Sequence, residues 1–129
     1  MLCNFNGFGV KRQVKFGFYE AVTGARLSPE DWCSLNARRI LNLQRAMLLL
    51  GGPDVTWSPA IHDDSPPRFY DPLPTGPYKG KASKRKEVEE ARQQYYAEAG
   101  WDEKGIPRSE ELRKLGLQDV DKALKKLRG

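Results

Sequence analysis

Residues 95–107 have the sequence Tyr-Tyr-Ala-Glu-Ala-Gly-Trp-Asp-Glu-Lys-Gly-Ile-Pro, which combines a helix end with a tight loop. Upstream of the first glycine, apolar residues recur at helical spacing, at Val88, Ala91, Tyr95 and Ala99. We therefore predict an amphipathic helix from Ser83 to Ala99. Ser83 is its expected N-cap, and Gly100 is the left-handed residue that ends it.

The loop after this helix is predicted from three residues. Trp101 carries a large apolar surface that would fold back onto the chain, Gly105 permits a positive φ, and Pro107 fixes the exit. Aromatic side chains serve packing readily. We therefore expect Tyr95, Tyr96 and Trp101 to form core and cap contacts, and we predict no catalytic residue among them.

Two shorter helices are predicted downstream of the loop. Ser109 is placed to cap a helix through Leu115 that Gly116 ends, and Asp119 is placed to cap the last helix. The apolar stripe of that last helix is Val120, Ala123, Leu124 and Leu127. Its C-terminal end carries cations, which the helix dipole favours there.

The apolar pattern in the first half of the chain predicts two helices. Residues 10–22 fit either a helix or a strand, and we favour a helix because Thr23-Gly24 provides a natural end. Ser28-Pro29-Glu30-Asp31 is a strong helix start, with a serine N-cap followed by proline and acids. This second helix should end near Leu50, and its last turns are apolar on nearly all sides, which predicts a surface that seeks a partner.

A long segment rich in proline follows, at residues 53–82, and is called the proline strap below. It holds seven of the nine prolines, a length that is unusual for a structureless loop in a compact domain. It also carries six aromatic or large aliphatic residues, which disordered linkers usually lack. We predict a single all-α domain over residues 1–129, with about five helices and this strap, ordered, between the second and third.

Composition narrows the possible partners. The net charge is +5, and five of the eight residues from Lys79 to Lys86 are basic. Glu87, Glu89 and Glu90 follow at once, so we expect Arg85–Glu89 and Lys86–Glu90 pairs on a solvated helix face rather than a nucleic-acid partner. We also expect no membrane partner, no signal peptide, and, from only two cysteines, a reducing cytoplasmic location.

Several motifs together resemble the C-terminal portion of the tungsten-dependent aldehyde ferredoxin oxidoreductase family. Besides residues 95–117, the pieces that carry the resemblance are Leu2-Cys3-x-Phe5, Ala21-Val22-Thr23-Gly24, Arg39-Ile40-x-Asn42-Leu43-x-Arg45, Pro67-Arg68-Phe69 and Pro72-Leu73-Pro74-x-Gly76-Pro77-x-Lys79-Gly80. Their order and spacing strengthen the resemblance. Because family members are far longer, it implies that this chain is one piece of a larger oxidoreductase.

The resemblance also implies the cofactors, the partners and one chemical residue. In the family, the motif Asp-x-x-Gly-Leu-Cys approaches a pterin, and its cysteine is the fourth ligand of a [4Fe–4S] cluster. Leu2 and Cys3 match the end of that motif. The complete enzyme would bind a tungsten (or molybdenum) bis-pyranopterin and the cluster, oxidise an aldehyde to a carboxylic acid, and pass electrons to ferredoxin. Because a cluster needs four ligands, the isolated chain should bind no cofactor and be inactive without the N-terminal portion of the enzyme.

Other residues are weaker candidates for a catalytic or metal-binding role. Cys33 lies within the long helix and is expected in the core, where free cysteines are common. His62 stands beside Asp63 and Asp64, a carboxylate pair suited either to a cation or to an arginine such as Arg68. The alternative to an enzyme fragment is a small non-enzymatic helical module that binds a partner protein through its apolar helix end and its strap.

Overall fold

The structure is a computed structural model that describes residues 9–52 and 56–128, and for Arg12 the backbone alone. Leu2 and Cys3 therefore lie outside the described residues. The chain divides into two compact units, Met1–Ile40 and Leu41–Gly129. The boundary falls within one helix, α3, which spans Ala37–Leu50.

The first unit begins with helix α1, Arg12–Thr23, which confirms the helical alternative for this segment. Gly24 ends it in the left-handed conformation, with φ of 70°. Helix α2, Pro29–Asp31, starts as predicted, because Ser28 Oγ accepts the N–H of Asp31 at 3.0 Å. A π-helical turn, Trp32–Asn36, connects it to α3.

Packing in the first unit leaves its side chains open to solvent. The Phe16 and Trp32 rings meet edge to face, with centroids 6.5 Å apart. Among the described side chains of residues 9–40, however, none is buried. The described residues of this unit therefore form no closed core.

The second unit holds the core and most of the helices. After α3 come α4, Pro59–His62, a 3₁₀ turn, Pro67–Tyr70, and then α5, Arg85–Ala99, α6, Ser109–Lys114, and α7, Gln118–Arg128. The described residues form no β-strand, and Trp101 and Pro107 form an isolated antiparallel bridge. The all-α prediction is confirmed.

Two buried clusters hold the second unit together. One consists of Ala46, Leu112, Leu115, Leu117 and Leu124, with Leu49 and Val120 packed against it. The other consists of Tyr96, Ala99 and Trp101, with Leu41 against it. At the far side of α3, Met47, Leu48 and Leu50 remain exposed, which confirms the apolar surface predicted for that helix end.

Three predicted N-caps are wrong, and in one of them a distant carboxylate accepts the serine hydroxyl. Helix α5 has Lys84 rather than Ser83 at its N-cap, and the Ser83 N–H donates to the carbonyl of Phe69 at 3.0 Å. Ser109 is the first residue of α6 rather than its cap, and its Oγ donates to Asp121 Oδ1 at 2.6 Å. Asp119 lies inside α7.

The buried face of α5 also differs from the prediction. Tyr96 and Ala99 are buried, whereas Ala91 and Tyr95 are exposed. Tyr95 still makes an edge contact with Trp101, at 5.7 Å between ring centroids. Gly100 ends α5 with φ of 78°, as predicted, and Trp101 folds back into the core.

Among the residues that the structure describes, every helix is too short or too polar to cross a lipid bilayer.

Candidate functional site

The most developed polar arrangement of the second unit is centred on Arg45, near the end of α3. Its side chain is only 5% exposed. Asp63, the residue that follows α4, accepts two hydrogen bonds from its guanidinium, Nη1 to Oδ1 at 3.0 Å and Nη2 to Oδ2 at 2.5 Å. A two-pronged pair of this kind is geometrically specific and ties the proline strap to α3.

The remaining faces of the Arg45 guanidinium are also occupied. Its Nε donates to the carbonyl of Gly105 at 2.8 Å. The guanidinium carbon lies 4.5 Å from the ring centroid of Trp57 and 4.3 Å from that of Trp101. These cation–π contacts stabilise a desolvated cation. They link α3 to the strap and to the loop at 100–107.

Tyr96 completes the arrangement from α5. Its hydroxyl donates a short hydrogen bond to Asp63 Oδ2. Arg45, Trp57, Asp63, Tyr96 and Trp101 are called the Arg45 cluster below. Next to it, the indole N–H of Trp101 donates to Asn42 Oδ1 at 3.0 Å, with both side chains buried.

The cluster shifts the pKa values of two of its members. Burial acts to raise the pKa of Asp63, but hydrogen bonds from Arg45 and Tyr96 outweigh it and hold the pKa below its ordinary value. Burial, and then the hydrogen bond to Asp63, raise the pKa of Tyr96 to about 12. Asp63 is therefore an ion-paired carboxylate and Tyr96 a neutral donor near neutral pH. Neither is poised as a general acid or base.

These shifts predict how stability depends on pH. Because the pKa of Tyr96 is raised to about 12, above the ordinary value near 10, its contribution is complete below about pH 10 and is lost as pH rises toward 12. The contribution of Asp63, whose pKa is lowered, is present above about pH 4 and is lost as pH falls further. In wild type, urea unfolding measured at several values between about pH 9 and pH 12 should show the alkaline loss as a fall in the free energy of unfolding.

The Tyr96→Phe variant should be less stable at neutral pH and should lose less further stability in that alkaline window. Tyr95→Phe, on the adjacent exposed ring, is the matched control and should retain the full alkaline loss. An alkaline loss in Tyr96→Phe as steep as in wild type would contradict the assignment.

For Asp63 and Asp64, the sequence left a bound cation and an arginine partner as alternatives, and in the structure each carboxylate pairs with an arginine. Arg45 binds Asp63, and Arg85 lies 3.3 Å from Asp64 Oδ2, so Arg68 is the wrong partner. The hydroxyl of Tyr70 also bonds Asp64, which lowers the pKa of that carboxyl. In the described ranges, no three His, Cys, Asp or Glu side chains lie close enough to share a metal ion.

The structure also describes the surroundings of the two remaining candidate residues, His62 and Cys33. His62 stacks on Trp57, with ring centroids 5.9 Å apart, and its Nδ1 lies 3.0 Å from the carbonyl of Ser58. Cys33 is a free and exposed thiol, so its predicted core position is wrong. The reason is that it lies in the first unit, where no described side chain is buried.

The basic run at 79–86 is paired only in part as predicted. Lys86 and Glu90 lie 3.8 Å apart, as expected for neighbours on a helix. Arg85 instead pairs with Asp64 and stacks 4.0 Å above the ring of Tyr70, so the predicted Arg85–Glu89 pair is wrong. The distant carboxylate outcompetes the local one because the strap brings it to the start of α5.

Comparison with known proteins identifies the family to which this fold belongs. Residues 1–117 match the family described as "Aldehyde ferredoxin oxidoreductase, domains 2 & 3". The chain belongs to the aldehyde ferredoxin oxidoreductase family. The match includes Leu2, Cys3 and the whole Arg45 cluster, and it stops immediately before α7.

The chain is also similar to a protein from Pyrococcus furiosus that is described as "Aliphatic sulfonate oxidoreductase, WOR-like subunit". It is 45% identical over 129 residues, which cover 99% of this chain and 20% of the relative. The chain thus spans about a fifth of the length of the curated relative it matches.

The aldehyde ferredoxin oxidoreductase motif on α3 contains the signal that could have revealed the Arg45 cluster. In Arg39-Ile40-x-Asn42-Leu43-x-Arg45, residues 42 and 45 are one helical turn apart and share a face. Two polar residues on one face of a leucine-rich helix indicate buried hydrogen bonding. Their partners, Trp101 and Asp63, lie too far along the chain to be found from spacing.

Proposed function

We propose that this chain is the C-terminal helical part of an enzyme of the aldehyde ferredoxin oxidoreductase type, and that it is inactive alone. The observation that carries the proposal is the match of residues 1–117 to domains 2 and 3 of that family. In the complete enzyme, an aldehyde and water give a carboxylic acid, and the electrons pass to ferredoxin. The N-terminal portion of the enzyme is then the permanent partner of this chain.

Cys3 is the residue of this chain that we assign to a cofactor. Its thiolate would be one ligand of a [4Fe–4S] cluster, and Leu2 would lie near the pterin. Such clusters are held by cysteine thiolates and require four ligands. The sequence holds only two cysteines, so at least two of the four cysteine ligands would come from outside this chain. When bound, the tungsten pterin and the cluster supply the redox chemistry.

The other contribution of the chain is mechanical. The Arg45 cluster joins α3, the proline strap, α5 and the loop at 100–107 through hydrogen bonds and ring contacts. Its titratable groups are already paired, so they hold structure rather than move protons. A rigid helical shell of this kind suits a domain that encloses cofactors and excludes water from them.

A second candidate concerns the substrate alone. The Pyrococcus furiosus relative, 45% identical over the whole chain, is described as acting on aliphatic sulfonates. An aliphatic sulfonate is therefore the alternative substrate class for the complete enzyme. Assaying the complete enzyme with both substrate classes and a ferredoxin acceptor distinguishes the two.

The cluster assignment is tested by Cys3→Ala in the complete enzyme, with Cys33→Ala as the matched control, since Cys33 is the other cysteine and is exposed. We expect Cys3→Ala to lose or alter the EPR signal of the reduced [4Fe–4S] cluster and to lower the iron content by up to about four atoms per protein. Cys33→Ala should keep both.

A normal EPR signal and full iron content in Cys3→Ala would remove Cys3 from the cluster. The contribution of this chain to the complete enzyme would then be structural alone. Because the readouts are spectroscopy and metal content, the result does not depend on knowing the substrate.

A further inference from the structure

The proline strap contains an open apolar groove of about 780 Å³ in the second unit. Three large apolar side chains line it, Phe69, Leu73 and Tyr78, which are 50%, 48% and 62% exposed. We call this surface, with its flanking Arg68 and Lys81, the strap groove. Side chains of this size are usually covered when they cluster, so a cluster left open indicates an interaction surface.

Hydrogen bonds hold the strap groove in one shape before anything binds. The Leu73 N–H donates to the Lys81 carbonyl at 3.0 Å, and the Gly80 N–H donates back to the Leu73 carbonyl at 2.9 Å. The Ser83 N–H donates to the Phe69 carbonyl at 3.0 Å and closes the base. A surface that is already ordered avoids much of the entropy that binding otherwise costs.

The charges around the strap groove select the kind of partner. Lys81 lies 5.2 Å from the ring centroid of Tyr78, and Arg68 lies 5.9 Å from that of Phe69. Lys84, Arg85 and Lys86 have carboxylate partners within this chain, but no ion pair is formed by Lys81 or Arg68 in the part that the structure describes. Asp71 is the carboxylate that lines the groove. With two cations against this one carboxylate, the surface is apolar with a rim that is cationic on balance.

We propose that the strap groove is the docking surface for an acidic segment, with apolar side chains, of the remaining part of the same enzyme. This rests on the proposed function. Two observations support that occupant: about four fifths of the relative lies outside the match, and the cationic rim complements an acidic segment. A second copy of this chain, with its net charge of +5 and the same cationic rim, is electrostatically disfavoured.

Hydroxyl-radical footprinting tests the proposal by comparing this chain alone with the complete enzyme. Phe69, Leu73 and Tyr78 should react in the isolated chain and lose most of that reactivity in the complete enzyme. Lys81→Gln in the complete enzyme should restore part of the reactivity of Tyr78 at low salt, because rim charges are screened as salt rises. Full reactivity of all three side chains in the complete enzyme overturns the proposal.

A pair of variants separates docking from folding. Leu73→Glu with Tyr78→Glu should leave the melting temperature of the isolated chain unchanged and lower that of the complete enzyme by about 2–4 °C or more. Ile61→Glu is the matched control, since Ile61 is 72% exposed on the same strap and does not line the groove. It should change neither temperature.

Three results would overturn the docking surface. The double variant could destabilise the isolated chain equally, Ile61→Glu could have the same effect as the double variant, or sedimentation could show that the double variant dissociates a dimer of this chain. None of these depends on Cys3. A complete enzyme with a normal cluster and a fully reactive groove therefore refutes the groove alone, whereas a normal cluster in Cys3→Ala refutes the cofactor role that the proposed function gives to Cys3.

Discussion

Arg45→Ala is expected to lower the free energy of unfolding of the unit Leu41–Gly129 by about 3–5 kcal/mol, the effect of removing one partner of a buried ion pair. Without Arg45, Asp63 keeps only the hydrogen bond from Tyr96, and the Gly105 carbonyl loses its partner. Trp57 and Trp101 also lose the cation that lies between them. Urea unfolding followed by circular dichroism and tryptophan fluorescence measures the change.

The control for Arg45→Ala is Arg85→Ala, which breaks the neighbouring arginine–carboxylate pair. The Arg85 side chain is largely exposed and its partner Asp64 is reached by solvent, so its removal should change stability far less. Arg45→Lys keeps the charge but not the planar fork, and should recover only part of the loss. Equal effects of Arg45→Ala and Arg85→Ala would show that burial of the Arg45 pair has no energetic role.

Local rules were sufficient where a helix end depends on neighbouring residues alone. Ser28 caps the start of α2 through the N–H of a residue three positions on, and Gly24 and Gly100 end their helices with positive φ. Each of these features involves one turn of chain. Sequence therefore predicted the all-α class, the start at Ser28, and the helix ends at Gly24 and Gly100.

The same rules failed where a distant residue competes for the same group. Serine is a preferred N-cap residue, but the hydroxyl of Ser109 donates its hydrogen bond to Asp121 instead. Arg128 donates to the same carboxylate at 2.5 Å. Tyr95 and Tyr96 are indistinguishable by hydrophobicity, and Asp63, which is 33 positions away, bonds Tyr96. Such choices depend on tertiary contacts that spacing along the chain does not contain.

The candidate site also depends on tertiary contacts that the sequence pattern does not contain. An arginine in a helix is expected at the surface, and burial of Arg45 becomes favourable only because Asp63, Gly105 and two indole rings surround it. Cys3 came from the family motif rather than from any local pattern. It lies outside the described residues and stays a prediction.

Gly105→Ala is the second substitution with a large expected effect, because this glycine meets two separate constraints. Its φ is 73°, a conformation that costs an L-residue about 1–2 kcal/mol. A Cβ there would also overlap Arg45 Nη2 and lie 2.8 Å from Tyr96 Cζ. Overpacking of this kind costs about 1–3 kcal/mol, so we expect a total loss of about 2–5 kcal/mol in urea unfolding.

Gly76→Ala isolates the first constraint, since Gly76 has φ of 85° and an added Cβ would meet no atom within 4 Å. Its loss should be confined to the backbone cost of about 1–2 kcal/mol. The difference between the two variants then measures the close approach of the loop to the Arg45 cluster. Losses of equal size would mean that the guanidinium moves aside freely.

The guanidinium should not move aside freely, because Asp63 and the rings of Trp57 and Trp101 fix it on three sides. This makes Gly105→Ala and Arg45→Ala interdependent. In the Arg45→Ala background the atom that Cβ would overlap is gone, so Gly105→Ala should destabilise less there than in wild type. Strict additivity of the two losses would contradict the geometry, whereas a smaller combined loss would show that the glycine is required because a buried arginine occupies the space beside it.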